Sequence, residues 1–208
     1  MTSQPLPRLY LLTDRHQTLH RSLFSVLTQA VEAGVRMIQI REKDLNTRDL
    51  LSLSRRLLLL ARQHQGTVFI NDRIDLVLAL GADGIHLRSD SLPISVARRL
   101  LGTGYLIGIS THSVEEAIIA EGEGADFVVL GPIFDTPSKR LYGPPLGIHV
   151  LHEAGRTIRL PIYAIGGITP SRIPQVLSSG AYGVALISSI LQSPSIADAT
   201  KNLLARLS

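Results

Sequence analysis

Residues 122–130 read GEGADFVVL, and three other stretches repeat the phrase in kind: EAGVRMIQI at 32–40, ALGADGIHL at 79–87 and SSGAYGVAL at 178–186. Each has a glycine where a helix would end, then a short side chain, then a β-rich run. This is the corner at which the helix of one βα unit hands over to the next strand. Working outward from these corners gives eight β-like runs, at 8–12, 36–40, 67–70, 84–87, 105–108, 127–130, 162–165 and 183–187. Most are almost continuously apolar, as expected of parallel strands covered on both faces. Helical spacing fills the intervals, at 19–33, 47–64, 72–80, 92–101, 146–157, 170–179 and 194–207, with one further helix after Ser113. Thr47 is placed to cap the second helix. Ser113 with Glu116 has the spacing of a capping box, and Pro170 and Pro194 suit first turns.

Eight βα units in 208 residues predict an α/β chain of one domain, spanning 1–208, folded as a (β/α)8 TIM barrel. A doubly wound open sheet would need a glycine-rich nucleotide loop after the first strand, where the sequence instead reads TDRHQT at 13–18. Without cysteine there is no disulfide, zinc–thiolate site, iron–sulfur cluster or thiol nucleophile. The net charge of +4 comes from 18 Arg and three Lys against 17 acidic residues, with no basic run, so solvated helix faces are expected and no nucleic-acid partner. No targeting or membrane-spanning segment is read, and the expected location is the cytoplasm.

In such a barrel the loops after the strands converge on one mouth. After the second run, Gln39, Arg41 and Lys43 fall on one side by the period of two, and a guanidinium fork beside an ammonium suits a diphosphate. Glu42 could ion-pair there. After the third run, Asn71 could orient phosphate or a metal-bound water. Asp72 could bind Mg²⁺ or cap the next helix. After the fourth, His86 could face inward as support or take part directly, Asp90 could join Asp72 at a metal or cap a helix, and Arg88 could meet an anion or solvent. After the fifth come Ser110, a hydrogen-bonding group, and His112, a possible proton shuttle. The long loop after the sixth carries Thr136, Pro137, Ser138 and Lys139, an anion-binding set. After the seventh and eighth, Gly166, Gly167, Ile187 and Ser188 stand where barrels bind phosphate. Two anion sites imply the joining of two phosphorylated pieces.

The joint order of LYLLTD, QIREK, ND, DGIHL, GIS, GPIFDTPSK and AIGGI resembles the thiamine phosphate synthase and TenI family over nearly the whole chain. The resemblance implies a (β/α)8 barrel that couples hydroxymethylpyrimidine diphosphate to hydroxyethylthiazole phosphate, releasing diphosphate with Mg²⁺ as cofactor, and allows a homodimer. It places Gln39, Ile40, Arg41, Glu42, Lys43 and Asn71 at the pyrimidine diphosphate. Asp72 becomes a metal ligand, with Asp90 the candidate second. Ser110 meets the aminopyrimidine. Lys139 holds the diphosphate, while Thr136, Ser138, Gly167, Ile187 and Ser188 hold the thiazole phosphate. The sequence departs from the pattern in one place: the family's HLGQ-x-Asp reads HLRSDSLP, with Ser91 at the second metal aspartate. The TenI form carries His where this chain has Pro132. Two alternatives accompany the synthase reading, a TenI-like thiazole tautomerase with His112 as acid–base, and a catalytically weak phosphate-ligand-binding protein.

Overall fold

The computed structural model describes residues 5–136, 140 and 143–207. Eight parallel strands close in sequence order: β1 (Leu9–Leu12), β2 (Met37–Ile40), β3 (Thr67–Asn71), β4 (Gly84–Leu87), β5 (Leu106–Thr111), β6 (Phe127–Leu130), β7 (Ile162–Ile165) and β8 (Gly183–Leu186). The seam is β1 on β8, with Tyr10 opposite Ala185. Outside run α1 (Leu23–Glu32), α2 (Thr47–Gln63), α3 (Ile74–Leu80), α4 (Ile94–Leu101), α5 (Val114–Gly122), α6 (Gly147–Thr157), α7 (Ile173–Ser178), α8 (Ser188–Leu191) and α9 (Ile196–Leu204). None of the described helices is long and apolar enough to cross a membrane.

The period of two divides each strand between two cores. Tyr10, Leu12, Met37, Phe69, Phe127, Val129, Tyr163 and Ala185 fill the barrel, while Leu9, Leu11, Ile38, Ile40 and their equivalents pack outward against the helices. The chain has few aromatic residues, and four of them meet inside. Tyr10 and Phe69 lie 5.6 Å apart, Phe69 and Phe127 5.1 Å, and Phe127 and Tyr163 5.5 Å, all edge to face. Gly108 makes room for this cluster, because a Cβ there would lie 2.1 Å from the Phe127 ring. At the lower end Leu6 packs against the interior, and the Tyr163 hydroxyl donates to the Pro7 carbonyl at 2.7 Å.

The departures from the expected elements have local causes. The first helix begins at Leu23 rather than residue 19, because Leu19 and His20 adopt left-handed backbone (φ 53° and 63°) after a 3₁₀ turn at 15–17. Asn46, not Thr47, caps α2, accepting the Asp49 N–H. Asp72 caps nothing: it has φ 57°, and α3 starts beyond it without a side-chain cap. Asp90 caps nothing either, since Pro93 holds the N-cap position of α4. Pro194 precedes α9, which Ser195 caps. Ser113 caps α5 as expected, but the Glu116 carboxylate accepts from the His112 N–H, one residue earlier than in a capping box.

Candidate active site

Because all eight strands run parallel, the ends of β2, β3, β4, β5, β7 and β8 open on one mouth. Arg41 therefore shares a rim with the Gly166–Gly167 turn. Gln39 is fully buried near the Tyr10 hydroxyl, and neither of its amide atoms makes a hydrogen bond of ordinary geometry among the described residues. A buried amide without partners is costly unless a ligand completes it. Arg41 follows it, held by its own N–H donating to Thr13 Oγ1 at 2.9 Å. Its guanidinium makes no hydrogen bond or ion pair within the described residues. Burial pulls its pKa below the ordinary arginine value, the charge of Arg88 pushes the same way, and Asp14 and Glu42 oppose them. A cation in that condition is a ready partner for an anion.

Two of the neighbours assigned to substrate take other positions. Ile40 points outward into the helix-facing core, as the period of two requires. Glu42 is buried, and its Oε2 accepts the Arg15 N–H at 3.1 Å, tying the loop after β1 to the loop after β2. Arg15 also grips Asp44, which His16 Nε2 meets at 2.9 Å, so the Arg41–Lys43 turn is clamped from outside. Lys43 lies exposed in that turn. Thr13 and Arg15 went unmarked in the sequence. Their only signal was the polar TDRHQT loop beside QIREK.

Across the floor of the mouth, His86 joins Tyr10 to Ser110: Nδ1 lies 3.3 Å from the Tyr10 hydroxyl and Nε2 3.0 Å from Ser110 Oγ. Ser110 belongs to β5 itself, and Asn71 ends β3, so rigid strand holds both. Burial, aided by the charge of Arg41, lowers the His86 pKa to about 3, leaving the ring neutral. The unfolded chain protonates this histidine below its usual 6.5, so the unfolded state carries the extra proton between pH 6.5 and about 3. His86 therefore contributes its full stability above pH 6.5 and loses about 1.4 kcal/mol per pH unit as the pH falls through that window. Urea denaturation of the wild type and His86→Gln across this range is expected to show a shallower pH slope for the variant. Equal slopes would show that His86 titrates alike in both states.

His112 is exposed, and its Nδ1 lies 2.6 Å from the Gly131 carbonyl, which accepts its proton. This bond engages Nδ1 and pins the end of β6, where the Gly131–Pro132 peptide is cis. From there the Ile133 and Phe134 N–H groups donate to the Ile165 and Gly166 carbonyls, lacing the long loop onto the glycine turn. Thr136 stands in this loop, and Asp135 is paired with Arg140. Pro137, Ser138 and Lys139 lie outside the described residues.

Gly166 and Gly167 have φ of 97° and 62°, and a Cβ on Gly167 would lie 2.5 Å from the Asp135 carbonyl oxygen. Only glycine fits both demands. The adjoining β8 ends at Leu186, Ile187 holds the N-cap position and the short helix α8 starts at Ser188, with Ser189 Oγ donating to the Ile168 carbonyl at 3.0 Å. A glycine turn after β7 beside an extra short helix after β8 is the phosphate-binding arrangement of these barrels.

The resemblance also implies magnesium, which takes several hard oxygen ligands in near-octahedral geometry. Asp72 and Asp90 do converge, but on a guanidinium. Arg88 Nε lies 3.3 Å from Asp72 Oδ2, and Arg88 Nη2 lies 3.1 Å from Asp90 Oδ2. Ser91 Oγ accepts the Arg88 backbone N–H at 2.8 Å. Among the described residues no three His, Cys, Asp or Glu side chains cluster to hold a metal ion. With Arg88 between the two carboxylates, this set does not fit Mg²⁺.

A closed (β/α)8 barrel with a cationic seat after β2 and a glycine–helix seat after β7 and β8 defines a class, the barrel enzymes that work on small phosphorylated molecules. Residues 9–190 match the family model described as thiamine monophosphate synthase. The chain belongs to that family. It is 41% identical to the thiamine-phosphate synthase of Clostridium novyi over 196 residues, covering 94% of this chain and 96% of that one. It is 40% identical to the thiamine-phosphate synthase of a Roseiflexus species over 194 residues, covering 93% and 82%. Among solved structures, thiamine phosphate pyrophosphorylase from Pyrococcus furiosus superposes with a TM-score of 0.87 at 34% identity, covering 96% of this chain and 95% of that one.

Proposed function

We propose that this chain couples hydroxymethylpyrimidine diphosphate to hydroxyethylthiazole phosphate, forming thiamine phosphate and releasing diphosphate. The observation that carries the reading is the pairing, on one barrel mouth, of a half-buried Arg41 whose guanidinium has no hydrogen-bond or ion-pair partner among the described residues with the separate glycine–helix seat at 166–167 and 188.

In this reading Gln39, Asn71 and Ser110 hold the aminopyrimidine, and the neutral His86 keeps Ser110 oriented. Arg41, Lys43 and Lys139 hold the diphosphate. The bond from the pyrimidine methylene to the diphosphate oxygen breaks with its electron pair leaving on the oxygen, and the three cations offset that growing charge. The aminopyrimidine ring stabilises the electron-poor methylene. The thiazole nitrogen, positioned through its phosphate at Gly166, Gly167, Ile187 and Ser188 with Thr136 and Ser138, supplies the pair for the new C–N bond. No protein nucleophile takes part, and holding both fragments removes the entropy of their encounter. Mg²⁺ would supply further charge to the leaving group in the family's scheme, but the Asp72–Arg88–Asp90 set gives it no seat here.

The test is coupling of the two substrates, followed by release of diphosphate. Turnover is expected in the wild type, falling on the order of 100-fold in Lys139→Ala. Intact binding of both substrates without turnover would exclude the synthase. Proton exchange on a thiazole carboxylate phosphate in its place would identify the tautomerase, for which His112 retains only Nε2 as a base.

A further inference from the structure

The loop after β4 places a second guanidinium at the mouth beside that of Arg41, and its surroundings are specific. Arg88 turns its Nε–Nη2 edge to two aspartates from two different loops: Asp72 follows β3 and Asp90 follows β4. Nε is shut off from solvent and meets Asp72 as an ion pair without a hydrogen bond, whereas the side chain as a whole keeps 38% of its surface exposed. The backbone of the same residue is fixed by Ser91 Oγ. The Nη2–Asp90 hydrogen bond and the charge of Asp72 bias the guanidinium toward one orientation, and the Nη1–Nη2 fork keeps donor hydrogens to spare. Among the described residues nothing accepts a hydrogen bond from Nη1. That fork matches two oxygens of a phosphate group. Arg88 also stands close enough to Arg41 for its charge to oppose that of Arg41. Two like charges brought together at a cleft are relieved by a multivalent anion between them.

We propose that Arg88 is a diphosphate-binding residue, a built-in cation oriented by Asp72 and Asp90, and that this chain binds diphosphate without a divalent metal ion. The proposal rests on the reading of the mouth as a diphosphate site, but not on which group the diphosphate leaves. Asp72 and Asp90 are positioning residues in it, because they touch the guanidinium and not the anion.

The experiment is calorimetric titration of the whole protein with inorganic diphosphate, in chelator and again in excess magnesium. Wild-type affinity is expected to agree within about threefold between the two conditions. Arg88→Met should weaken binding in chelator by about 30-fold, the scale of a lost charged hydrogen-bond pair. Arg88→Lys, which keeps the charge but loses the fork, should fall between them. Manganese titration followed by electron paramagnetic resonance supplies the converse: Arg88→Met frees both carboxylates and should bind Mn²⁺ more tightly than the wild type. Melting curves confirm that the variants fold. Wild-type binding that appears only with magnesium would overturn the proposal, as would chelator-insensitive binding that Arg88→Met leaves unchanged. Failure of the two-substrate coupling with Arg88-dependent diphosphate binding intact would overturn the synthase reading alone.

Discussion

Arg41→Met is expected to lower kcat/KM for coupling by about 10³-fold while leaving the protein at least as stable as the wild type. The two effects have one cause. The guanidinium is half-buried with no carboxylate in direct contact among the described residues, and burial is the largest influence pulling its pKa down. The folded chain without ligand therefore bears a desolvation cost that Asp14 and Glu42 offset only in part, and methionine of similar length removes it, for a gain of up to about 1 kcal/mol. The leaving diphosphate loses its most deeply set counter-charge in the same step. Arg41→Lys should keep part of the rate, because it retains the charge without the planar fork. Steady-state kinetics together with calorimetric melting decide the matter. A fall in melting temperature parallel to the fall in rate would make Arg41 a structural residue.

The second large effect concerns the barrel itself. Gly108→Ala places a Cβ 2.1, 2.5 and 2.7 Å from three atoms of the Phe127 ring. That ring is already fixed edge-to-face by Tyr10, Phe69 and Tyr163, so it has nowhere to move. A destabilisation of about 3 kcal/mol or more is expected, lowering the melting temperature by roughly 10 °C. Gly104→Ala is the control, since nothing lies within 4 Å of a Cβ there. In the Gly108→Ala background, Phe127→Leu should restore part of the loss, although it costs stability alone. Such non-additivity marks direct contact, and strictly additive losses would mean that the ring is not the obstacle.

The barrel was legible because its cause is repeated locally. Four glycine corners and eight apolar runs each announce a βα unit, and closure follows from their number. The sequence was less informative about which side chains look inward at the strand ends. Period-two reasoning assigns Gln39 inward and Ile40 outward, yet the motif view grouped both with the substrate. The fate of the charged loop residues was set by partners distant in sequence. Glu42 is claimed by Arg15, Asp72 by Arg88, and Ser110 by His86, over separations of 27, 16 and 24 positions. No local pattern encodes such pairings. Helix starts failed for a related reason: left-handed residues such as Asp72 and His20 are not glycines, and their backbone is imposed by the loops around them.

The aromatic floor bears on how the site comes into being. Its rings arrive from positions 10, 69, 127 and 163, on the first, third, sixth and seventh strands. Neither the first half of the polypeptide nor the second can assemble that floor by itself, and His86, which rests against two of its rings, steadies Ser110 only once all are seated. The floor is therefore complete only once β7 has joined the barrel and seated Tyr163 against Phe127. A nascent chain stopped short of β7 holds every charged residue of the β2 and β4 loops and still lacks the Tyr163 ring of that floor.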